Sequence, residues 1–202
     1  MISAILLAAG ESKRMGITKQ ILKFGKNTLL EYTLNNLVNS KIDEIVLVLG
    51  YKAEEIKEEI ATGHEKLVIT INPDFRDGMS SSIKQGIRSI NPKTEAVLIV
   101  LGDQPLISSE IINSIITAYQ EKDAGIVAPV YKGEIGHPVC FDLKKYRDKL
   151  LELGGDKGAR EIVDTNKNDF FGLDVHSDDI LVDIDDEENY LKALKRISSI
   201  DH

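Results

Sequence analysis

The sequence predicts an α/β fold in which a mostly parallel sheet is covered by helices on both faces. Two observations carry this. Short apolar runs rich in leucine and β-branched residues recur along the chain, as buried parallel strands tend to do. Between them lie stretches whose apolar residues fall at helical spacing. Alternation of this kind implies repeated strand–helix–strand units. With 202 residues, 42% of them hydrophobic, the chain is long enough to bury one such core and reads as a single domain, 1–202.

The elements follow in order. Ser3–Ala8, Glu44–Leu49, Leu67–Ile71, Ala96–Leu101 and Ile126–Val130 are expected strands. Leu30, Leu34, Leu37 and Val38 share a helical face, as do Ile83, Ile87 and Ile90, and then Ile111, Ile112, Ile115, Ile116 and Tyr119. Between Tyr131 and Asp183 the pattern is less regular. It suggests a short strand around Val139–Phe141, a helix near Leu143–Leu153 and two further strands, the last ending at Asp183-Ile184-Asp185-Asp186. A final helix shows Tyr190, Leu191, Leu194 and Ile197 on one face, with Asp186 as its cap and Glu187 and Glu188 in the first turn.

Composition removes several classes of function. Lys and Arg total 25 against 33 Asp and Glu, a formal net charge of −8. That excludes nucleic-acid binding through a general basic surface. No apolar run is long enough to span a bilayer. Met1–Ala9 lacks a positive flank and a cleavage pattern, so it reads as a buried strand rather than a leader. The single cysteine, Cys140, allows no internal disulfide, and the expected compartment is the cytoplasm.

In parallel sheets ligands gather where strands end and strand order reverses, so the residues just after each strand are the informative ones. Leu7-Ala8-Ala9-Gly10 continues through Ser12, Arg14, Met15 and Gly16 to Lys19. Small residues there let a ligand approach the backbone, and Arg14 and Lys19 add cations suited to a polyphosphate. The stretch is neither a Walker A loop nor a dinucleotide fingerprint, and a solvated surface loop is the local alternative. Gly102-Asp103-Gln104-Pro105 places a carboxylate at a strand end, where it suits a hard cation or, alternatively, caps a turn. Asp77-Gly78-Met79-Ser80-Ser81-Ser82 opens a helix and could hold a base edge or phosphate, with capping by Asp77 or a serine as the alternative. Alternation would point Asp183 and Asp185 the same way, so one of them could complete a metal site with Asp103. Gly136-His137-Pro138 and Gly154–Arg160 are glycine-containing polar loops of the kind that cover substrates. No nucleophile elbow occurs, and the histidines show no metal spacing.

Together these pieces resemble the MobA-like nucleotidyltransferases. Leu-Ala-Ala-Gly-x-Ser-x-Arg-Met-Gly-x-x-Lys stands at 7–19, Gly-Met-Ser-Ser-Ser at 78–82 and Gly-Asp-Gln-Pro at 102–105. Gly-His-Pro-Val at 136–139, Gly-Asp-Lys-Gly-Ala-Arg at 155–160 and Asp-Ile-Asp at 183–185 follow, so the motifs span nearly the whole chain.

The resemblance implies a Rossmann-like three-layer sandwich of the nucleotide-diphospho-sugar transferase kind. Its nucleotide-binding part would cover about 1–105, its acceptor-binding part about 106–186 and its C-terminal helix about 187–200. It implies transfer of CMP from CTP to the phosphate of molybdopterin with release of pyrophosphate, and the Ala8-Ala9-Gly10 form resembles the cytidylyl branch. Arg14, Lys19 and Asp103 would then act in catalysis, and Asp103 and Asp185 would hold Mg²⁺. Leu7, Ala8, Ala9, Gly10, Gly78, Met79, Ser80 and Ser81 would bind the nucleotide. Gly136, His137, Pro138, Asp156, Lys157 and Arg160 would face the acceptor. A molybdoenzyme would receive the product. Ile135 stands where arginine commonly precedes Gly-His-Pro. A sugar phosphate or another phosphorylated small molecule is therefore the alternative acceptor, and a non-catalytic nucleotide- or cofactor-binding accessory protein for molybdoenzyme maturation is the alternative outside catalysis.

Overall fold

Residues 1–12, 15–156 and 158–198 are described by the computed structural model. The chain begins with β1 (Ile2–Ala8), whose residues are all buried. A small hairpin, β2 (Lys23–Phe24) and β3 (Asn27–Thr28), leads into α1 (Leu29–Val38). Thr28 starts that helix with a capping box: its hydroxyl accepts from the Glu31 amide and the Glu31 carboxylate accepts from the Thr28 amide. Then come β4 (Glu44–Leu49), α2 (Ala53–Glu59), β5 (Leu67–Ile71), α3 (Met79–Ser89), β6 (Ala96–Leu101) and α4 (Ser109–Glu121). The second half holds β7 (Ile126–Tyr131), β8 (Glu134–Ile135), β9 (Val139–Asp142), α5 (Leu143–Glu152), α6 (Arg160–Thr165), β10 (Phe170–Asp174) and α7 (Glu187–Ser198).

Among the described residues eight strands form one sheet in the order β10-β7-β9-β6-β1-β4-β5, with β8 paired to β7. The pairs β5–β4, β4–β1, β1–β6 and β7–β10 are parallel. Only β9, between β6 and β7, and the short β8 run antiparallel. The chain leaves β1 toward β4 and β5, then returns to its other side with β6. The order therefore reverses between β1 and β6, whose carboxyl ends lie side by side with Leu7 opposite Leu101.

Strand parity separates two cores. Ala4, Leu6 and Ala8 of β1 face one layer with α1, α2 and α4, through Leu34, Ile56 and Ile112. Ile5 and Leu7 face the other, against α3, α5 and α6, through Ile83, Leu150 and Ile162. A third cluster gathers Phe24, Leu29, Leu106, Ile184, Ala193 and Ile197, which seats α7 and the segment before it on the hairpin.

Helix α3 lies against β1 so closely that a Cβ at Gly86 would sit 2.4 Å from Ile5 Cγ2. Glycine inside a helix otherwise weakens it by roughly 1 kcal/mol relative to alanine. The approach to the sheet accounts for its presence. Gly86→Val is expected to overpack this contact and lower Tm by about 3–10 °C. A variant melting with the wild type would contradict the close approach.

Two expectations need correction. The final strand does not reach Asp183: β10 ends at Asp174, a 3₁₀ turn covers Asp178–Leu181, and 183–185 runs outside any strand. Periodicity alone could not show this, because Val182 and Ile184 pack with Ala193 and Ile197 of α7 rather than in a ladder. On α7, Leu191 is exposed and the buried positions are Ala193 and Ile197, with Tyr190 and Leu194 packed beside them. Asp186 does cap the helix, accepting from the Asn189 amide at 2.8 Å. Helices α2 and α6 and the β2–β3 hairpin went unanticipated, being short and strongly charged or polar.

Candidate active site

A cleft of about 780 Å³ opens at the carboxyl ends of β1 and β6. That size suits a nucleotide-scale ligand. Its floor is Leu7, Ala8, Ala9 and Gly10. The adjoining loop is held by Gln20, whose Nε2 donates to the carbonyls of Ala8 at 3.1 Å and Gly10 at 3.0 Å. Gly102 fixes the neighbouring strand end by donating its amide to Leu7 O at 2.9 Å.

The charged centre stands beside this floor. Lys19 Nζ donates to Asp103 Oδ2 at 2.6 Å, to Asp185 Oδ1 at 3.0 Å and to Ile184 O at 3.2 Å. These bonds use all three donors of the ammonium. Burial lowers the Lys19 pKa, but the charges and hydrogen bonds of Asp103 and Asp185 outweigh it, and the net shift is upward. Lys19 is therefore a cation throughout the physiological range.

Two contacts hold the 183–185 segment to the end of β6. The Ile184 amide donates to Asp103 O at 2.9 Å. Gln104 Nε2 donates to Asp183 Oδ1 at 2.7 Å. Asp183 thus engages Gln104 while Asp185 faces Lys19. Burial and the charge of Asp103 raise the Asp183 pKa.

Two carboxylate oxygens converge on the point that Lys19 Nζ occupies, and oxygen donors of this kind suit a hard divalent cation. Among the described residues no cluster of three or more His, Cys, Asp or Glu side chains forms a complete metal site. This donor set fits Mg²⁺, which typically takes one or two carboxylates and completes its shell with phosphates and water.

The opposite wall comes from the start of α3. Gly78, Met79 and Ser82 line the cleft, with Phe75 and Arg76 beside them. Neither Asp77 nor a serine caps α3. Its first amide, on Met79, donates instead to Asp156 Oδ1 at 3.3 Å, and the Ser80 amide donates to Gly155 O at 3.2 Å. Gly78 has φ +96°, and a Cβ there would meet Asp156 at 2.5 Å. Ser80 and Ser81 lie outside the cleft lining. Ser81 braces the loop: its hydroxyl lies 2.8 Å from both Asp74 O and Gly78 O, sharing its one proton between them, and accepts from buried Asn72.

The expected acceptor residues divide. Asp156 lines the cleft, whereas Gly136, His137, Pro138 and Arg160 do not. Gly136 instead makes room for Ile180, whose carbonyl oxygen would lie 2.5 Å from a Cβ there. Arg160 donates to Ile135 O at 3.0 Å. Arg14 and Lys157 lie outside the described residues. Gln20, Phe75, Arg76 and the Gln104–Asp183 pair were not anticipated. The adjacency of Gln20 to Lys19 and of Gln104 to Asp103 was the signal that could have found two of them.

His137 is half-buried. Burial pushes its pKa down to about 4, with the charge of Asp103 opposing the shift and that of Arg160 adding to it. In the unfolded chain the ring titrates near 6.5. Between those values the unfolded state binds the proton first, so stability is whole above pH 6.5 and falls as pH drops toward 4. The loss should approach about 3 kcal/mol, and His137→Gln should abolish it. Urea unfolding of both proteins from pH 4 to 7.5 checks this. Equal pH slopes would contradict the assignment.

The comparisons with known proteins agree with this geometry. The molybdenum cofactor cytidylyltransferase of Escherichia coli K12 is 26% identical over 199 residues, covering 98% of both proteins. A crystal structure of the Mycobacterium sp. strain JC1 homologue of Rv0371c superposes with a TM-score of 0.86 at 28% identity, over 98% of both chains. Rv0371c of Mycobacterium tuberculosis H37Rv, solved in complex with manganese, gives 0.81 at 25% identity over 96% of this chain and 98% of that one. The family model described as the MobA-like NTP transferase domain matches residues 4–170. A Rossmann-like mixed sheet with its cleft at the β1/β6 reversal is thus the scaffold of a nucleotidyltransferase, and the chain belongs to the MobA-like NTP transferase family.

Proposed function

We propose that the protein transfers CMP from CTP to the phosphate of a molybdopterin acceptor and releases pyrophosphate. The observation that carries this reading is the Lys19–Asp103–Asp185 centre beside the Ala8-Ala9-Gly10 floor. The E. coli relative, similar over its full length, supports CTP and molybdopterin as the pair of substrates.

The acceptor phosphate oxygen forms a bond to the α-phosphorus of CTP while the bond from that phosphorus to the β-phosphate oxygen breaks. The acceptor is already an anion at neutral pH, so the reaction needs no general base. Catalysis then rests on positioning and charge neutralisation. Leu7 to Gly10 and Gly78 to Met79 bind the nucleotide, and Lys19, with Arg14, neutralises the departing pyrophosphate. Asp103 and Asp185 would hold Mg²⁺, which supplies Lewis-acid stabilisation of charge on the phosphates. Asp156 joins the acceptor side to the nucleotide side through Met79.

The substrates are small molecules, with a recipient molybdoenzyme completing the reading and neither nucleic acid nor membrane taking part. Among the described residues no helix is long and apolar enough to cross a membrane. A single buried thiol fits the cytoplasm. A second reading, a sugar phosphate as acceptor, draws support from Gly136, His137 and Pro138 lying outside the cleft lining.

Thermal shift with CTP, GTP, UTP and ATP, each with and without Mg²⁺, tests the nucleotide. A ligand selective for the folded state raises its stability as ln(1 + [L]/Kd). The proposal expects the largest shift with CTP and Mg²⁺. A larger shift with another nucleotide would overturn the choice of CTP.

A further inference from the structure

We propose that Lys19 is an internal stand-in for the divalent cation, holding the Asp103–Asp185 seat in the free protein and leaving it when nucleotide and metal enter together. The inference rests on the reading above, in which those carboxylates bind the metal. Lys19 Nζ contacts Asp103 Oδ2 at 2.6 Å and Asp185 Oδ1 at 3.0 Å. Those are the oxygens a cation would need. The Lys19 side chain is 13% exposed and the two carboxylates are 24% and 26% exposed, so water screens this point only in part. A second cation on the same oxygens would lie within a few ångströms of the ammonium, where like charges repel strongly.

Two contacts make the seat independent of its occupant. The Ile184 backbone amide on Asp103 O and the Gln104 side-chain amide on Asp183 Oδ1 hold the two acidic segments together without help from Lys19. Its departure would therefore leave the carboxylates in place. The polyphosphate of a nucleotide offers the ammonium new oxygens and offers the metal the ligands that the protein lacks. Lys19 thereby makes metal entry depend on nucleotide.

Mn²⁺ binding, followed by the loss of the free-ion electron paramagnetic resonance signal, tests this without turnover. Wild type should bind Mn²⁺ weakly alone and at least 100-fold more tightly with CTP. Lys19→Met should bind Mn²⁺ alone at least 10-fold more tightly than wild type, and Lys19→Gln should behave alike, so the test survives if one variant fails to fold. Lys19→Arg should stay weak. Lys23→Met, which removes the same charge from an exposed position on the β2–β3 hairpin, should match wild type. Equal tightening by Lys23→Met would assign the effect to net charge and overturn the inference. Binding with CTP in wild type but no gain in Lys19→Met or Lys19→Gln would overturn the inference and leave the metal reading standing. No Mn²⁺ binding by wild type, even with CTP, would overturn both.

Discussion

Asp103→Ala is expected to lower kcat by roughly 10³-fold, the upper end of the loss when one preorganised electrostatic contact to developing charge is removed. Asp103 sits in the turn just after β6, and its side chain holds the Lys19 ammonium at 2.6 Å. Its carbonyl oxygen, which accepts from Ile184, survives the substitution. The segment carrying Asp185 should therefore remain docked, and Tm should move by only a few degrees. Steady-state turnover and a melting curve on the same preparation check both parts. Asp103→Asn, which keeps the shape and removes the charge, should be nearly as inactive. Wild-type turnover in either variant would remove Asp103 from the chemistry.

Lys19→Ala is expected to lower kcat/KM by about 10²–10³-fold, the loss typical of one electrostatic contact to developing charge. On the proposed reading the defect should be shared between kcat and KM, because Lys19 would grip the pyrophosphate both in the bound nucleotide and as it leaves. Initial-rate kinetics over a range of CTP concentrations separates the two. Unchanged kcat/KM would confine Lys19 to holding the free protein together.

Much of this molecule was legible in its residues because buried parallel strands announce themselves. Val97–Leu101 and Ile45–Leu49 have uninterrupted apolar character, and both prove to be interior strands, paired on both sides. Asp103 stood out as the first carboxylate after such a strand, and Lys19 followed a stretch of small residues. The family resemblance implied their meeting, but local pattern alone could not, since it depends on a chain reversal that places β6 beside β1. Asp183 and Asp185 looked equivalent by alternation. The structure separates them because Gln104 engages one and Lys19 the other. Gly136-His137-Pro138 has the look of a substrate loop, and its glycine also serves the close packing of Ile180. Glycine required for packing and glycine required for a ligand leave the same mark in a sequence.

The central claim is nucleotidyl transfer to a phosphate at the Lys19–Asp103–Asp185 centre. Its most direct test is incubation of the protein with Mg²⁺, purified molybdopterin and CTP labelled at the α-phosphate, followed by separation of the products. The account predicts label in a molybdopterin product, with one unlabelled pyrophosphate released per transfer and neither formed by Asp103→Ala. Label retained in CTP, or a product formed equally well by Asp103→Ala, would contradict it.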